Sequence, residues 1–319
     1  MAILIGIDEA GFGPILGPLV VSSTAFSLPS DMLNADLWHL LEASVAQTRR
    51  RLTGRLLITD SKKAHSKSSG ITHLERTVLS VLRVLHTCPD SLGAFIESIC
   101  PESLERLKMY SWYAHLENHH LPSDDPDKVI AAGAFVKDMA RNNMELLDLR
   151  SQCLDVAYYN GQVEVVRNKS SVLFSATCIL MQRLFQRYPQ QDLQVVVDRQ
   201  GGRVHYRDSL QRMFPGVDMA ILRENEALSS YELTMDGRRV RIHFVVRADS
   251  RCLPVSLASM LSKYLRELLI ADLNAYFINK CKEIKPTAGY WQDGTRFIND
   301  VRAKLPDLKI DDQQFIRCR

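Results

Sequence analysis

Two short apolar runs near the start of the chain predict a β-hairpin. Residues 3–7 are aliphatic apart from one glycine, and this run of strand length ends at two acids, Asp8 and Glu9. A segment rich in Gly and Pro follows, and residues 19–26 are then β-branched and apolar, as in a partner strand. A third apolar run, residues 193–197, has the pattern of a buried strand and ends at Asp198.

Helical and strand patterns alternate along the rest of the chain. Apolar residues recur at helical spacing in residues 71–85, and helices are also predicted at residues 128–149, 170–188, 254–278 and 294–305. Asn160 and Gly161 are favoured tight-turn residues, so residues 153–166 predict a hairpin, and residues 231–246 predict another around Asp236 and Gly237. The mixture predicts an α/β fold with a mixed sheet covered by helices. No repeat or Gly/Ser linker is visible, which favours one elaborated domain over residues 1–319.

Composition excludes several classes of protein. The 319 residues are 46% hydrophobic and 24% charged, values that are ordinary for a globular protein and exclude wholesale disorder and collagen. No apolar run approaches the roughly 18 residues of a membrane span, and no basic region precedes the first apolar run, as it would in a signal peptide. Seven cysteines form no CxxC pair and leave one unpaired in any disulfide scheme. We therefore expect reduced thiols in a cytoplasmic protein that does not associate with membranes.

Basic residues are concentrated in one stretch, although the net charge is only +3. Residues 49–67 contain seven Lys and Arg side chains, Lys67 among them, and a single acid, Asp60. A stretch of this density suits a polyanion such as nucleic acid, and it equally suits a solvated helix end followed by a loop. Charge alone leaves both interpretations open.

Acids follow the ends of the predicted strands. Asp8 and Glu9 come after the first strand and Asp198 after the third, while Asp249 follows the strand at residues 242–246 and precedes the longest helix. Acids brought together in this way repel one another, and a divalent cation that prefers oxygen ligands, such as Mg²⁺, would offset the repulsion. Neighbouring residues of a strand point to opposite faces, so Asp8 and Glu9 can serve one site only if the strand bends. The alternative for each acid is a turn residue or a helix cap.

Five sequence blocks occur in the order found in a known family. They are residues 6–14 (GIDEAGFGP) with Gly17 and Pro18, residues 60–63 (DSKK), Asn168 with the helix that leads to Asp198, Asp249 with Ser259, Lys263 and Arg266, and Gly289 with Tyr290. In these blocks the sequence resembles the type 2 ribonucleases H, the ribonuclease HII family, as a divergent member. The blocks extend over nearly the whole chain.

The resemblance implies a fold, a reaction and a metal. The fold would be the ribonuclease H-like mixed β-sheet flanked by helices, with internal insertions at residues 100–165 and 225–247. The reaction would be endonucleolytic hydrolysis of the RNA strand of an RNA–DNA hybrid, leaving 5′-phosphate and 3′-hydroxyl ends. Asp8, Glu9, Asp198 and Asp249, which we call the acidic tetrad, would be the catalytic residues and would hold two Mg²⁺ or Mn²⁺ ions, with Asp8 as the bridge. The enzyme would need no organic cofactor and would act as a monomer.

The resemblance also implies a nucleic-acid site, whose eight residues would be Gly11, Phe12, Gly13, Ser61, Lys62, Lys263, Arg266 and Tyr290. The two lysines and the arginine would contact phosphates, and Ser61 would donate a hydrogen bond there. Tyr290 would stack on a sugar.

Phe12 departs from the family pattern, and this departure leaves alternative functions open. The family has arginine at this position, between two glycines, in the segment that helps to read the 2′-hydroxyl at an RNA–DNA junction. Phenylalanine cannot donate a hydrogen bond, whereas the amides of Gly11 and Gly13 still can. The alternatives are a related nuclease with altered substrate choice and a nucleic-acid-binding protein on the same fold that has lost cleavage. Four acids that repel one another give a pure binding protein no advantage, which favours an enzyme.

Overall fold

The strands come from both halves of the chain. A computed structural model describes residues 1–65, 70–235 and 237–318, so Lys67 of the basic stretch and Asp236 of the predicted turn lie outside the described residues. The strands of the described residues are β1 (Ala2–Ala10), β2 (Leu19–Leu28), β3 (Val45–Ala46), β4 (Leu56–Leu57), β5 (Glu145–Leu154), β6 (Leu193–Asp198), β7 (Asp218–Glu224), β8 (Leu228–Met235) and β9 (Arg238–Val245).

Helices occupy most of the segments between the strands and the last part of the chain. The α-helices of the described residues are α1 (Leu37–Leu40), α2 (Ser61–Ala64), α3 (Thr72–Val84), α4 (Leu92–Ile99), α5 (Pro101–Lys108), α6 (Pro126–Arg141), α7 (Val156–Val166), α8 (Lys169–Arg187), α9 (Arg207–Met213), α10 (Leu253–Lys280), α11 (Trp291–Lys304) and α12 (Asp312–Phe315). Short 3₁₀ turns include Leu116–Asn118 and Ala248–Ser250.

Seven of the strands form one mixed sheet in the order β5-β2-β1-β6-β9-β8-β7. Strands β1, β2 and β5 are antiparallel neighbours, β6 is parallel to β1, and β9 is parallel to β6. Strand β8 lies between β9 and β7 and is antiparallel to both. The predicted α/β class, a mixed sheet flanked by helices, is confirmed.

Alternating side chains of β1 supply two separate hydrophobic cores, one on each face of the sheet. Ile3, Ile5 and Ile7 pack in the core that contains α8, whereas Leu4 packs in the core that contains α10. Helix α10 lies against β1 and β2, and α8 lies against β2 and β5. Strand β1 is therefore covered on both faces, and its carboxyl end is a partly dehydrated place for acidic side chains.

Most of the predicted elements are confirmed. The confirmed predictions are the strands at residues 3–7, 19–26 and 193–197, the hairpin at residues 231–246 and the helices at residues 71–85, 170–188, 254–278 and 294–305. No helix of the described residues is both long and apolar enough to cross a membrane. The seven cysteines are free thiols.

The hairpin predicted for residues 153–166 is wrong, because residues 156–166 form helix α7. Asp155 caps this helix by accepting a hydrogen bond from the backbone N–H of Tyr158 at 3.0 Å. Asn160 lies inside the helix instead of in a turn, and its side chain donates to the carbonyl oxygens of Gln313 and Ile316. A tertiary contact therefore overrides the turn preference of Asn and Gly.

The helix predicted for residues 128–149 is wrong in its second half. Helix α6 ends at Arg141, and residues from Glu145 onward form β5, which pairs with β2. Asn143 adopts a left-handed conformation with φ of 50°, which interrupts the helix between the two elements. Asp148 of β5 is buried and pairs with two arginines of α8, Arg183 and Arg187, so this strand is fixed by long-range partners.

A His–Asp pair joins the segment after the 3₁₀ turn Leu116–Asn118 to helix α10. Nδ1 of His119 lies 2.5 Å from Oδ1 of Asp272, and the two side chains are 25% and 20% exposed. The hydrogen bond and the charge of Asp272 raise the pKa of His119 above its ordinary value, although burial opposes them. Protonated His119 therefore stabilises the folded state.

Replacing Asp272 by asparagine is expected to lower the free energy of unfolding by about 1 kcal/mol near pH 6 and by less near pH 8.5. The pKa of His119 in the folded protein lies above its ordinary value of 6.5. Protonated His119 therefore makes its full contribution to stability below pH 6.5. The contribution is lost as the pH rises through the folded pKa. Urea unfolding of both proteins at the two pH values measures the difference, and an equal loss at both would contradict the assignment.

Candidate active site

The sheet register brings two acids of the tetrad next to each other. Strands β1 and β6 are parallel, with Ile7 opposite Val197, so Asp8 and Asp198 follow at the same edge of the sheet. Strand β1 does not bend between its two acids: it continues to Ala10 in regular pairing with β2. Asp8 and Glu9 therefore leave the strand on opposite faces, and the bend expected for a site shared by both is absent. The two carboxyl groups are still close enough for the charge of Glu9 to raise the pKa of Asp8.

Close packing of α10 on β1 determines the surroundings of Asp8. A Cβ atom at Gly6 would lie 2.2 Å from the backbone carbon of Pro254, so only glycine allows the start of α10 to come this close. The helix then places Ser259 within hydrogen-bonding reach of the Asp8 carboxylate, and the hydroxyl of Ser262 lies 3.1 Å from the Asp8 carbonyl oxygen. Asp8 is only 7% exposed.

Asp198 fixes the turn that carries the fourth acid. Its Oδ1 accepts a hydrogen bond from the backbone N–H of Ala248 at 2.6 Å, and the N–H of Asp249 donates to the same carboxylate. The 3₁₀ turn Ala248–Ser250 connects the sheet to α10, so the last acid is positioned by the third. The alternative reading of Asp249 as the cap of α10 does not hold, because Cys252 is the residue that precedes the helix.

Burial raises the pKa of all four carboxyl groups, and repulsion from other members of the tetrad adds to it for Asp8, Glu9 and Asp198. Burial is the largest cause for each. The charges of Glu9 and Asp198 further raise the pKa of Asp8 well above its usual range, and the charge of Asp198 helps to raise the pKa of Glu9 to about 8. Burial and the charge of Asp249 raise the pKa of Asp198 to about 6, against the two N–H donors. The four groups thus share one electrostatic environment.

The three charged residues of the DSKK block act on the tetrad, Lys63 on Asp249 alone. The charge of Lys62 lowers the pKa of Glu9, Asp198 and Asp249, so its ammonium group lies near three of the four acids. Asp60 acts in the opposite direction and raises the pKa of Asp249, while its side chain caps α2 by accepting from the N–H of Lys62. Asp60 was not predicted as a site residue, although the DSKK block contained it.

A groove of about 270 Å³ lies beside Glu9. All eight predicted nucleic-acid residues line it: Gly11, Phe12, Gly13, Ser61, Lys62, Lys263, Arg266 and Tyr290. They come from the segment after β1, from α2, from α10 and from the residue before α11. The chain thus brings together residues that are up to 279 positions apart in the sequence at a single surface next to the acids.

Arg266 lies in the wall of the groove, and its side chain is buried instead of projecting into solvent. Its side chain is 1% exposed, and Nη2 donates to the carbonyl oxygens of Leu16 at 3.3 Å and Ala288 at 3.1 Å. Gly11 has φ of 92°, and a Cβ atom there would lie 2.6 Å from Nε of Arg266. This placement differs from the expected direct phosphate contact, because the guanidinium is buried and its Nη2 donates to backbone carbonyl oxygens of the groove wall.

The remaining groove residues differ in their freedom to move. Lys263 is paired with Glu267 at 2.6 Å, whereas Tyr290 is 52% exposed. Nζ of Lys169, at the start of α8, lies 5.3 Å from the centre of the Phe12 ring, within the range of a cation–π contact. Lys169 was not predicted as a site residue, although it directly follows Asn168 of the third sequence block. A cation therefore lies next to Phe12 even though the loop lacks an arginine.

Comparisons with known proteins were informative for solved structures only. No protein-family model matches the sequence, and no curated protein matches it. Solved structures match over nearly the whole chain. The likeness is to ribonucleases HII and HIII.

Three of these structures illustrate the level of similarity. The first is the PCNA:RNase HII complex from Archaeoglobus fulgidus, with 15% identity over 99% of this chain and 94% of that chain and a TM-score of 0.46. Ribonuclease H2 from Pyrococcus horikoshii OT3 is 12% identical over 98% and 92%, with a TM-score of 0.47. Bst-RNase HIII in complex with Mn²⁺ is 13% identical over 99% and 66%, with a TM-score of 0.47. Similarity at this level leaves activity, metal and substrate as proposals.

The tetrad suits a hard divalent cation in its chemistry. All its donors are carboxylate oxygens, the ligands that Mg²⁺ and Mn²⁺ prefer, and a bound cation would offset the repulsion that raises their pKa. Within residues 1–65, 70–235 and 237–318, no three His, Cys, Asp or Glu side chains are already close enough together to hold one ion. An ion held by the tetrad would therefore require some of these side chains to rotate toward it.

Proposed function

We propose that this protein is a metal-dependent endonuclease that hydrolyses the RNA strand of RNA–DNA hybrids and leaves 5′-phosphate and 3′-hydroxyl ends. One observation carries the proposal: four partly dehydrated acids share an electrostatic environment, and one of them, Glu9, lines the groove that gathers all eight predicted nucleic-acid residues. A cluster of acids that repel one another raises the free energy of the folded protein. Binding of catalytic metal ions would explain why the protein contains such a cluster.

The acidic tetrad would hold two Mg²⁺ or Mn²⁺ ions, with Asp8 shared between them. Such ions lower the pKa of an attacking water and stabilise the departing 3′ oxygen when they are bound. Asp198 holds the turn of Asp249 through backbone N–H donors, so the two acids would keep their relative position during turnover. Buried Asp8 lies close to α10, whose Ser262 hydroxyl donates to the Asp8 carbonyl oxygen.

The groove residues would bind the hybrid beside these acids. Lys62 is exposed and would contact a phosphate close to the cleaved bond, and Lys263 would exchange its contact with Glu267 for a phosphate. Backbone N–H groups of Gly11 and Gly13 would donate to the nucleic acid. Tyr290 is exposed and would stack on a sugar.

Incubation with labelled substrates tests the proposal. The panel contains an RNA–DNA hybrid, a DNA duplex with one ribonucleotide, plain duplex DNA and single-stranded RNA, each with Mg²⁺, with Mn²⁺ or with EDTA. We expect cleavage of the RNA strand of the hybrid with either metal, products with 3′-hydroxyl ends, and none with EDTA. Binding of the hybrid without cleavage under either metal would replace the proposal with the alternative of a binding protein.

Altered substrate choice is the second candidate function, and Phe12 favours it. The apolar ring replaces a side chain that donates hydrogen bonds in the family, and Nζ of Lys169 lies over this ring within cation–π range. We expect the duplex with one ribonucleotide to be cleaved much more slowly than the hybrid. Equal rates on both substrates would show that Phe12 does not limit recognition of a single ribonucleotide.

Replacing Lys62 by alanine is expected to raise KM for the hybrid about 10-fold, which corresponds to ~1.4 kcal/mol of lost binding. The reason is the loss of a phosphate contact at a position next to three repelling carboxylates. Lys137→Ala on the exposed part of α6 is the matched control and should leave KM unchanged. Steady-state cleavage at low salt measures both, and equal effects of the two substitutions would contradict a specific role of Lys62.

A further inference from the structure

The segment after α11 lies against the wall of the groove through Arg317. Its backbone N–H donates to the carbonyl oxygen of Ile15 at 2.8 Å. Its Nη2 donates to the carbonyl oxygens of Gly11 and Pro14. One residue, far from β1 in the sequence, thus makes three hydrogen bonds to the short segment that forms one side of the groove.

Helix α7 and an aromatic cluster hold this segment in place. Nδ2 of Asn160 donates to the carbonyl oxygens of Gln313 at 3.1 Å and Ile316 at 2.8 Å, and its Oδ1 accepts from the N–H of Cys318 at 2.8 Å. The ring of Phe315 is 2% exposed and packs among other aromatic rings of the core. The residues on both sides of Arg317 are therefore held in place, by Asn160 and by the packing of Phe315.

The guanidinium of Arg317 is buried beneath the groove and keeps its charge. The residue is 3% exposed, and its guanidinium lies over the ring of Tyr159 at 5.0 Å. Burial and the charge of Arg266 lower the pKa of Arg317 to about 9, so the group stays protonated at neutral pH. Arg317 and Arg266 thus approach the same segment as two buried cations, and both donate to backbone carbonyl oxygens of residues 11–16.

We propose that Arg317 is a positioning residue for the nucleic-acid groove: it fixes the backbone of residues 11–15 in the conformation that binds the hybrid. This role rests on the proposed function, because Arg317 would maintain the shape of the surface that binds the hybrid. Carbonyl oxygens that are held by a buried cation cannot rotate toward the groove, where they would repel a phosphate. Arg317 acts through Gly11 and its neighbours and does not touch the substrate.

The test compares Arg317→Lys and Arg317→Met with a control, Arg239→Met. Arg239 lies at the start of β9, and its side chain pairs with exposed Asp192. Hydrogen–deuterium exchange is measured in peptides that cover residues 10–18 and residues 193–198. We expect Arg317→Met to increase exchange at residues 10–18 only and to raise KM for the hybrid about 10-fold, with kcat changed less than about twofold. Arg317→Lys should show an intermediate change, because its ammonium keeps the charge with fewer directed donors. The control should match the wild type.

Two outcomes would overturn the assignment. Unchanged exchange at residues 10–18 in Arg317→Lys and Arg317→Met would show that Arg317 does not fix this segment. Increased exchange together with an unchanged KM would show that the groove does not depend on it. If Arg317→Met does not fold, Arg317→Lys decides in the same way. If the wild-type protein cleaves no substrate, the proposed function fails, whereas exchange and the dissociation constant for the hybrid still decide the role of Arg317.

Discussion

Replacing Asp8 by asparagine is expected to reduce cleavage of an RNA–DNA hybrid by about 1000-fold, or ~4 kcal/mol of transition-state stabilisation. The same substitution is expected to raise the melting temperature in buffer without divalent metal. Asp8 is buried and its pKa is raised, so its ionised form at neutral pH makes the folded state less stable. Asparagine removes the charge and preserves the shape. Cleavage rates and thermal unfolding measure the two effects.

Asp138→Asn is a suitable control because this carboxylate is equally buried and lies elsewhere. Asp138 is 5% exposed and accepts hydrogen bonds from the N–H of Ser44 at 2.9 Å and from its hydroxyl at 2.7 Å. Its substitution should lower stability and leave cleavage per folded molecule unchanged. Mn²⁺ should raise the melting temperature of the wild type and of Asp138→Asn, but not of Asp8→Asn. Full activity of Asp8→Asn would remove the tetrad from the mechanism.

Replacing Gly6 by alanine is expected to lower the free energy of unfolding by about 3 kcal/mol or more, although only one methyl group is added. The added Cβ would lie 2.2 Å from the backbone carbon of Pro254 and 2.3 Å from the backbone nitrogen of Val255. Backbone atoms cannot turn aside as a flexible side chain would, so α10 has to move away from β1. Chemical denaturation measures the loss, and any folded protein should have lost activity because Asp8 loses the support of α10.

Gly133→Ala in helix α6 is the matched control for this substitution. Nothing lies within 4 Å of a Cβ atom at Gly133, and the residue is exposed inside a helix. Alanine is favoured over glycine in that setting by up to about 1 kcal/mol, so this protein should be slightly more stable. The two substitutions thus have opposite expected signs. A small effect of Gly6→Ala would mean that α10 does not depend on close contact with β1.

The strands that carry the acids could be predicted because their signal is local. Continuous apolar runs identified β1 and β6, and acids at their ends indicated where the candidate site would lie. Parallel pairing of these two strands then determined that Asp8 and Asp198 lie side by side, which no local pattern contains. From the sequence, the proximity of Asp8 and Asp198 could be expected only through the resemblance of the ordered blocks to a known family.

Other features could not be predicted because they depend on partners far away in the sequence. Asn160 reads as a turn residue, yet it lies within a helix where it binds carbonyl oxygens more than 150 residues away. From the sequence alone, Arg266 and Arg317 look like surface cations. In the structure both are buried, and both donate hydrogen bonds to backbone carbonyl oxygens near the groove. Long-range hydrogen bonds of this kind leave no periodic pattern in the chain.

Diffraction from crystals grown with Mn²⁺, recorded at a wavelength where manganese scatters anomalously, tests the central claim most directly. The account predicts two anomalous peaks at the carboxyl ends of β1 and β6, each within about 2.0–2.6 Å of carboxylate oxygens of the tetrad, with Asp8 contacting both. Peaks at other places only, or no peak while Asp8, Glu9, Asp198 and Asp249 remain apart, would contradict it.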